Sequence, residues 1–218
     1  MSRGTFTLFT LAAAAAATPA LAQVSNIDEF NKNAWCENIG FTNWRDADAT
    51  AAGVHVYPTH LRGAIWAENV GWIRLGSGPA DGFAYANIDN TDYGVNVAPG
   101  GALSGLGWGE NIGWVNFAGG AAATPSQPAR IDTTTPPYRM LGYAWCENVG
   151  WINLDNPDVF IGVLCFADFD GNGFVNADDF DYFMEAFYFG TPAADIDGNG
   201  FANADDFDAF LAAFYVGC

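Results

Sequence analysis

The chain has 218 residues, with 25 Asp and Glu against seven Lys and Arg, and its formal net charge at pH 7 is −18. Such a charge repels nucleic-acid phosphates and anionic lipid headgroups, which argues against both classes of partner. Half of the residues are hydrophobic and 16% are aromatic, so the composition also excludes general disorder.

The first 22 residues have the pattern of an export signal. Arg3 lies in a short polar start, an apolar stretch runs from Phe6 to Ala17, and Ala20-Leu21-Ala22 is typical of a cleavage site. The apolar stretch is too short to span a bilayer. We therefore predict a signal peptide at residues 1–22 and a secreted or cell-surface protein.

The next region repeats the motif W-x-E-N-[IV]-G-[WF] four times. Its copies begin at Trp35, Trp66, Trp108 and Trp145, and short runs that alternate apolar and polar residues flank them. Asn followed two residues later by Gly suits a turn or a bulge, and the flanking aromatic residues would then pack across a pair of strands. The pattern predicts a Trp-rich β-repeat domain at residues 23–158, built from short antiparallel hairpins.

The repeats carry residues that two functions could use. Glutamates repeated in every copy could form acid–base pairs for glycoside hydrolysis, although a residue repeated in each unit usually serves the unit's own fold. They are Glu37, Glu68, Glu110 and Glu147. The tryptophans offer two alternatives. They form the core, or some of them form an exposed face that stacks on sugar rings, for which the candidates are Trp72, Trp114 and Trp151. Because no motif of nucleophilic or zinc chemistry appears, we predict no catalytic residues.

This motif resembles the W-S-E-N-x-G-W-I units of exported and surface proteins of bacteria. The resemblance implies export and repetition, and it implies no mechanism.

Four cysteines allow three disulfide pairings in an exported protein. Cys165 and Cys218 flank the last segment of the chain, so a bond between them would clasp its ends together. Cys36 and Cys146 occupy the same position in two copies of the repeat. We expect the pairs Cys36–Cys146 and Cys165–Cys218, and the first would favour a closed or folded-over arrangement of hairpins.

A linker is predicted at residues 159–164, and beyond it the chain contains eleven acidic residues and no Lys, Arg or His. Residues 168–179 and 195–206 both match the twelve-position calcium loop, with oxygen-bearing side chains at positions 1, 3, 5, 9 and 12 and Gly at position 6. The predicted ligands of the first loop are Asp168, Asp170, Asn172, the Phe174 carbonyl, Asn176 and Asp179. Those of the second loop are Asp195, Asp197, Asn199, the Phe201 carbonyl, Asn203 and Asp206.

A helix is predicted after each loop but not before it. Phe180, Phe183, Met184 and Phe187 recur at helical spacing, as do Phe207, Phe210, Leu211 and Phe214. Each half of this segment is therefore a loop followed by one helix.

Residues 165–218 closely resemble a type I dockerin domain. The resemblance rests on the duplicated loop–helix unit, on Asp179 and Asp206 at position 12, and on the terminal Gly217-Cys218. It implies a module that folds on two Ca²⁺ ions and docks a cohesin-like protein or a cell-surface scaffold, in either of two orientations. Positions 10 and 11 are Ala-Asp in both loops, where dockerins often carry a Ser-Thr type pair, and neither helix has a basic residue.

The sequence thus predicts a mainly β domain followed by a small α domain that binds calcium. We expect a non-catalytic exported protein, displayed or anchored through its dockerin-like module. Two alternatives stay open: a carbohydrate-binding module that uses the repeat tryptophans, with a polysaccharide as partner, and a glycoside hydrolase delivered by its dockerin.

Overall fold

The computed structural model describes residues 25–47, 53–134 and 138–217. The signal peptide predicted at residues 1–22 lies outside the described residues, as does Cys218. The fold is mainly antiparallel β, with two α-helices in its C-terminal part.

Thirteen strands of the described residues form one curled sheet. They are β1 (Ile27–Cys36), β2 (Gly40–Asn43), β3 (His55–Val56), β4 (Leu61–Ala67), β5 (Gly71–Gly76), β6 (Val95–Val97), β7 (Leu103–Gly109), β8 (Gly113–Asn116), β9 (Arg130–Asp132), β10 (Tyr138–Leu141), β11 (Tyr143–Cys146), β12 (Gly150–Asn153) and β13 (Ile161–Val163). The strand order is β12-β11-β8-β7-β5-β4-β2-β1-β13-β10-β9, with β3 paired to β4 and β6 paired to β7.

Each copy of the tryptophan motif forms one hairpin: β1–β2, β4–β5, β7–β8 and β11–β12. The motif glycine begins the second strand of each hairpin with a positive φ, for example 74° at Gly40 and 84° at Gly71. Residues with a Cβ are strained at such φ values, which is why the turn needs glycine there.

The hairpin strands alternate between a buried face and an outer face. In β4 and β5, Ile65 and Ile73 are 2% and 1% exposed. Their neighbours in sequence, Trp66 and Trp72, are 38% and 40% exposed. Because strand side chains alternate with a period of two, one face of every hairpin fills the core and the other carries the aromatic residues.

Side-chain amides of the motif asparagines join hairpins to one another at three places among the described residues. Asn111 donates to the carbonyl oxygen of Val70 at 2.9 Å, and Asn148 donates to that of Ile112 at 2.9 Å. Asn38 occupies the same motif position in the first hairpin, and its amide donates to a carbonyl oxygen of the last hairpin. The row of four hairpins therefore curls until its two ends meet.

The segment predicted to be a linker at residues 159–164 is instead part of the sheet. It contains β13, which pairs with both β1 and β10. Ile161 and Val163 are 0% and 5% exposed, so their side chains complete the core. Burial of these apolar side chains stabilises the strand. The turn-forming residues that precede it had suggested a boundary between domains.

The disulfide predicted between Cys36 and Cys146 is not formed, because both are free and buried thiols. The Cys36 sulfur lies 3.7 Å from the carbonyl oxygen of Asn153, and that of Cys146 lies 3.3 Å from the carbonyl oxygen of Ile112. Each thiol thus contacts a neighbouring backbone carbonyl, and burial raises the pKa of Cys36 to about 11. Cys165 is disulfide-bonded, and its predicted partner Cys218 lies outside the described residues.

The two helices are α1 (Ala177–Phe189) and α2 (Ala204–Val216), with a 3₁₀ helix at Pro192–Ala194 between them. They form a second hydrophobic cluster, at whose centre the rings of Phe183 and Phe210 stack at 4.0 Å. Among the described residues, no helix is long and apolar enough to cross a membrane.

Candidate metal centre

The two acidic loops each bring three carboxylates together. The first group is Asp168, Asp170 and Asp179, and the second is Asp195, Asp197 and Asp206. Within each group the ligand atoms lie within 4.8 Å of one another. Three carboxylates at this distance repel one another, and a bound cation would offset that repulsion. Either triad could therefore hold a metal ion.

In the first loop, backbone N–H groups orient the carboxylates. Gly173 donates to Asp168 Oδ2 at 2.8 Å, and Asp170 donates to Asp179 Oδ1 at 3.1 Å. Asp179 is fully buried, and its second oxygen accepts from Asn176 N at 2.8 Å. The last aspartate is therefore held both by the loop and by the start of α1.

The second loop repeats this network. Gly200 donates to Asp195 Oδ2 at 2.9 Å, and Asp197 donates to Asp206 Oδ1 at 3.0 Å. Asp206 is also fully buried, and it accepts from Asn203 N at 2.8 Å.

One oxygen in each triad is buried without a hydrogen-bond partner among the described residues. These atoms are Asp168 Oδ1 and Asp195 Oδ1, and Asp195 is only 7% exposed. A buried carboxylate oxygen without a donor is costly, and a bound cation would remove that cost. The donor set thus fits a metal ion at each position.

Burial also raises the pKa of the first aspartate in each loop. For Asp168 and Asp195 the main cause is removal of the carboxylate from water, and the neighbouring carboxylates add to it. The pKa of Asp197 is raised for the same reasons. A cation between the carboxylates would reverse both effects, because it favours the charged form.

The asparagines predicted at position 9 have another role in the structure. The Asn176 side chain accepts from Asp178 N at 2.8 Å and caps α1, and Asn203 caps α2 in the same way through Asp205 N. Each forms a capping box with the aspartate at position 12. The aspartate thus connects the metal loop to the helix N-terminus.

The remaining predicted ligands stay within the loops. Asn172 Oδ1 accepts from Phe174 N at 2.9 Å, and Asn199 Oδ1 accepts from Phe201 N at 2.9 Å. The Phe201 carbonyl accepts from Asn203 Nδ2 at 3.3 Å. The structure therefore groups the three aspartates of each loop, while these amide and carbonyl oxygens take part in the turn.

The second loop also contacts the sheet, which the sequence did not predict. Arg62 on β4 donates from its guanidinium to the Gly198 carbonyl oxygen. The two loops share the sequence D-x-D-G-N-G-F, so that pattern does not indicate which of them Arg62 contacts.

Aromatic pairs cover the outer face of the four hairpins. Each pair lies directly across its hairpin with ring centroids 4.5 to 5.1 Å apart, in an edge-to-face arrangement. The pairs are Trp35–Phe41, Trp66–Trp72, Trp108–Trp114 and Trp145–Trp151. Trp72, Trp114 and Trp151 are 39 to 40% exposed, so they stabilise the hairpins and also present ring surface to solvent.

The four motif glutamates are exposed and lie at the turns of four different hairpins. Glu68 accepts from the backbone N–H of Phe41 at 3.1 Å and so links the second hairpin to the first. This contact favours the structural role that repetition suggested for Glu68.

Compared with protein-family models, curated proteins and solved structures, the chain matches none of them. Interpretation of the two triads therefore depends on their own geometry.

Proposed function

We propose that residues 165–218 form a calcium-binding, dockerin-like module that docks or anchors an exported protein. The observation that carries the proposal is the pair of triads, each with a buried aspartate oxygen that lacks a hydrogen-bond donor among the described residues. The duplicated loop–helix sequence supports the same interpretation.

Calcium is the metal that this donor set suits best. Each loop offers three carboxylates, an asparagine amide and backbone carbonyls, all of them hard oxygen ligands. Ca²⁺ accepts six to eight such ligands in irregular geometry, whereas Mg²⁺ prefers a strict octahedron that keeps several waters. Twelve-residue loops with this spacing therefore favour Ca²⁺, one ion in each loop.

Docking is supported by the surface that the helices leave uncovered. On α1, Tyr188 and Phe189 are 82% and 68% exposed, and on α2, Tyr215 is 82% exposed. Aromatic side chains of this kind are common at protein interfaces. The partner we propose is a cohesin-like protein or a cell-surface scaffold, and the hairpin region is the part displayed.

The test compares two double variants with equal changes in charge. Asp168→Asn with Asp195→Asn neutralises the two aspartates that have an unpartnered oxygen, and Asp178→Asn with Asp205→Asn neutralises two exposed aspartates at position 11. We expect the first variant to lose calcium binding in a calorimetric titration and the second to keep it. Equal affinities for the two variants would overturn the proposal.

A second candidate function, carbohydrate binding, is favoured by one groove on the outer face. The groove measures about 530 Å³ and is lined by Trp72, Tyr93 and Arg74 beside the small Ala64. Aromatic faces next to a charged donor suit a sugar ring with its hydroxyl groups.

Tryptophan fluorescence tests this candidate on a panel of soluble polysaccharides. We expect a saturable change in the unaltered chain that Trp72→Ala abolishes and that Phe30→Ala, at an exposed aromatic residue outside the pairs, preserves. An unchanged spectrum with every polysaccharide would overturn carbohydrate binding and leave the calcium proposal intact.

A further inference from the structure

Arg62 connects the sheet to the second acidic loop. Its guanidinium donates to the Gly198 carbonyl oxygen, and its Nε donates to His60 Nε2 at 3.1 Å. The guanidinium also lies 4.8 Å from the ring centroid of Tyr57. These contacts with His60 and Tyr57 hold the arginine in the position from which it reaches the loop.

The backbone of the second loop packs closely against the same residues. A Cβ added at Gly198 would lie 2.6 Å from the Tyr57 ring, so only glycine allows this approach. A Cβ at Gly82, in the segment after β5, would lie 3.3 Å from Asn199. The hairpin region therefore contacts the loop at two consecutive positions.

The corresponding glycine of the first loop lies in a more open environment, although the two loop sequences are nearly the same. Around Gly171, which corresponds to Gly198, an added Cβ would meet nothing within 4 Å. Equivalent residues of the two loops also differ in burial. Asp195 and Gly198 of the second loop are buried, whereas Asp168 is partly buried and Gly171 is exposed in the first. The duplicated loops thus lie in different environments.

We infer that the hairpin region carries a binding site for the second loop, formed by Arg62 and Tyr57, and that this site couples ion binding at Asp195, Asp197 and Asp206 to packing of the loop on the sheet. The inference rests on the proposed calcium function and specifies how one of the two sites is regulated. The first loop binds its ion without this coupling.

The coupling follows from linkage. Arg62 and Tyr57 contact the backbone of a loop that is folded around its three carboxylates. An ion that stabilises this loop conformation also favours the packing, and by thermodynamic reciprocity the packing strengthens ion binding by the same factor. The second site should therefore bind calcium more tightly than the first, because only the second loop gains from packing on Arg62 and Tyr57.

Calorimetric titration of Ca²⁺ into the full chain tests the inference at one loop at a time. Asp168→Asn with Asp170→Asn leaves the second site, and Asp195→Asn with Asp197→Asn leaves the first. On the first background we expect Arg62→Ala to weaken calcium binding about fivefold or more. On the second background we expect the same substitution to change affinity by less than about twofold.

Two further variants separate contact from charge. Arg130→Ala removes an arginine from β9 and should leave the second site unchanged. Arg62→Lys keeps the charge but not the planar group over Tyr57, and we expect it to weaken binding as Arg62→Ala does. Equal effects of Arg62→Ala and Arg130→Ala, or equal effects of Arg62→Ala on both sites, would overturn the inference.

Alanine at the two equivalent glycines supplies an independent measurement. Gly171 and Gly198 have φ values of 73° and 77°, so alanine is strained to a similar degree at both, but only at position 198 does it meet Tyr57. In hydrogen exchange of the calcium-loaded chain, Gly198→Ala should reduce protection of residues 53–63 and Gly171→Ala should not. Equal protection in both variants would contradict the coupling, whereas absence of calcium binding to the unaltered chain would also remove the proposed function.

Discussion

The side-chain amide of Asn38 donates to the backbone carbonyl of Val149 at 2.6 Å and joins the first hairpin to the last across 111 residues of sequence. The hydrogen-bonded order of the sheet begins at β12 and passes through the four hairpins to β1, with no backbone ladder between those two strands among the described residues. A side chain thus closes the row of hairpins where the backbone does not.

Replacement of Asn38 by Ala should therefore loosen this closure. We expect a loss of about 1 kcal/mol in the free energy of unfolding, the usual value of one hydrogen bond. Hydrogen exchange should accelerate mainly in β1 and β12, because backbone bonds still connect the other hairpins. Asn111→Ala is the matched control, since β5 and β7 stay paired there, and an identical exchange pattern in the two variants would contradict the account.

The free thiols lead to a second prediction. Cys36 occupies the motif position at which the second copy has the buried Ala67, so Cys36→Ala should cost less than about 1.5 kcal/mol of stability. A native disulfide would instead cost about 2 to 5 kcal/mol when removed. Urea unfolding of Cys36→Ala and Cys146→Ala distinguishes the two, and thiol titration should find both groups unreactive until the protein unfolds.

The buried His60 predicts a dependence of stability on pH. Burial lowers its pKa from 6.5 to about 4, and the nearby positive charges of Arg62 and His55 add to this effect. Because the unfolded chain binds the proton near pH 6.5 and the folded chain only near 4, stability that is present above pH 6.5 is lost as pH falls through this window. The loss from this group should approach about 3 kcal/mol at pH 4.

Urea unfolding at several pH values between 7 and 4 measures this loss. The His60→Gln variant lacks the titrating group, so the stability advantage of the unaltered chain over the variant should shrink as pH falls. A difference that stays constant with pH would show that His60 does not bind a proton on unfolding.

The hairpins and the acidic triads illustrate what the sequence could predict. The turn at Asn38-Ile39-Gly40 and the grouping of Asp168 with Asp179 depend on short-range spacing, and local spacing is visible in the sequence. The same holds for the helices that follow each loop, because their phenylalanines recur at helical intervals.

What the sequence could not predict depends on long-range packing. The bond expected between Cys36 and Cys146 assumed that equivalent positions would meet, but each sulfur contacts a backbone carbonyl instead. The strand at Ile161–Val163 was hidden by the turn residues before it, and its partner β1 lies more than 120 residues earlier. The contact of Arg62 with Gly198 likewise has no local signal.

Calorimetric titration of Ca²⁺ into the full chain, with circular dichroism before and after chelation, tests whether the two acidic loops are calcium sites. We expect two ions bound per chain, with helix content that falls when the ions are removed. Absence of calcium binding would contradict the account, because the two acidic triads would then have no ligand to offset their buried charge.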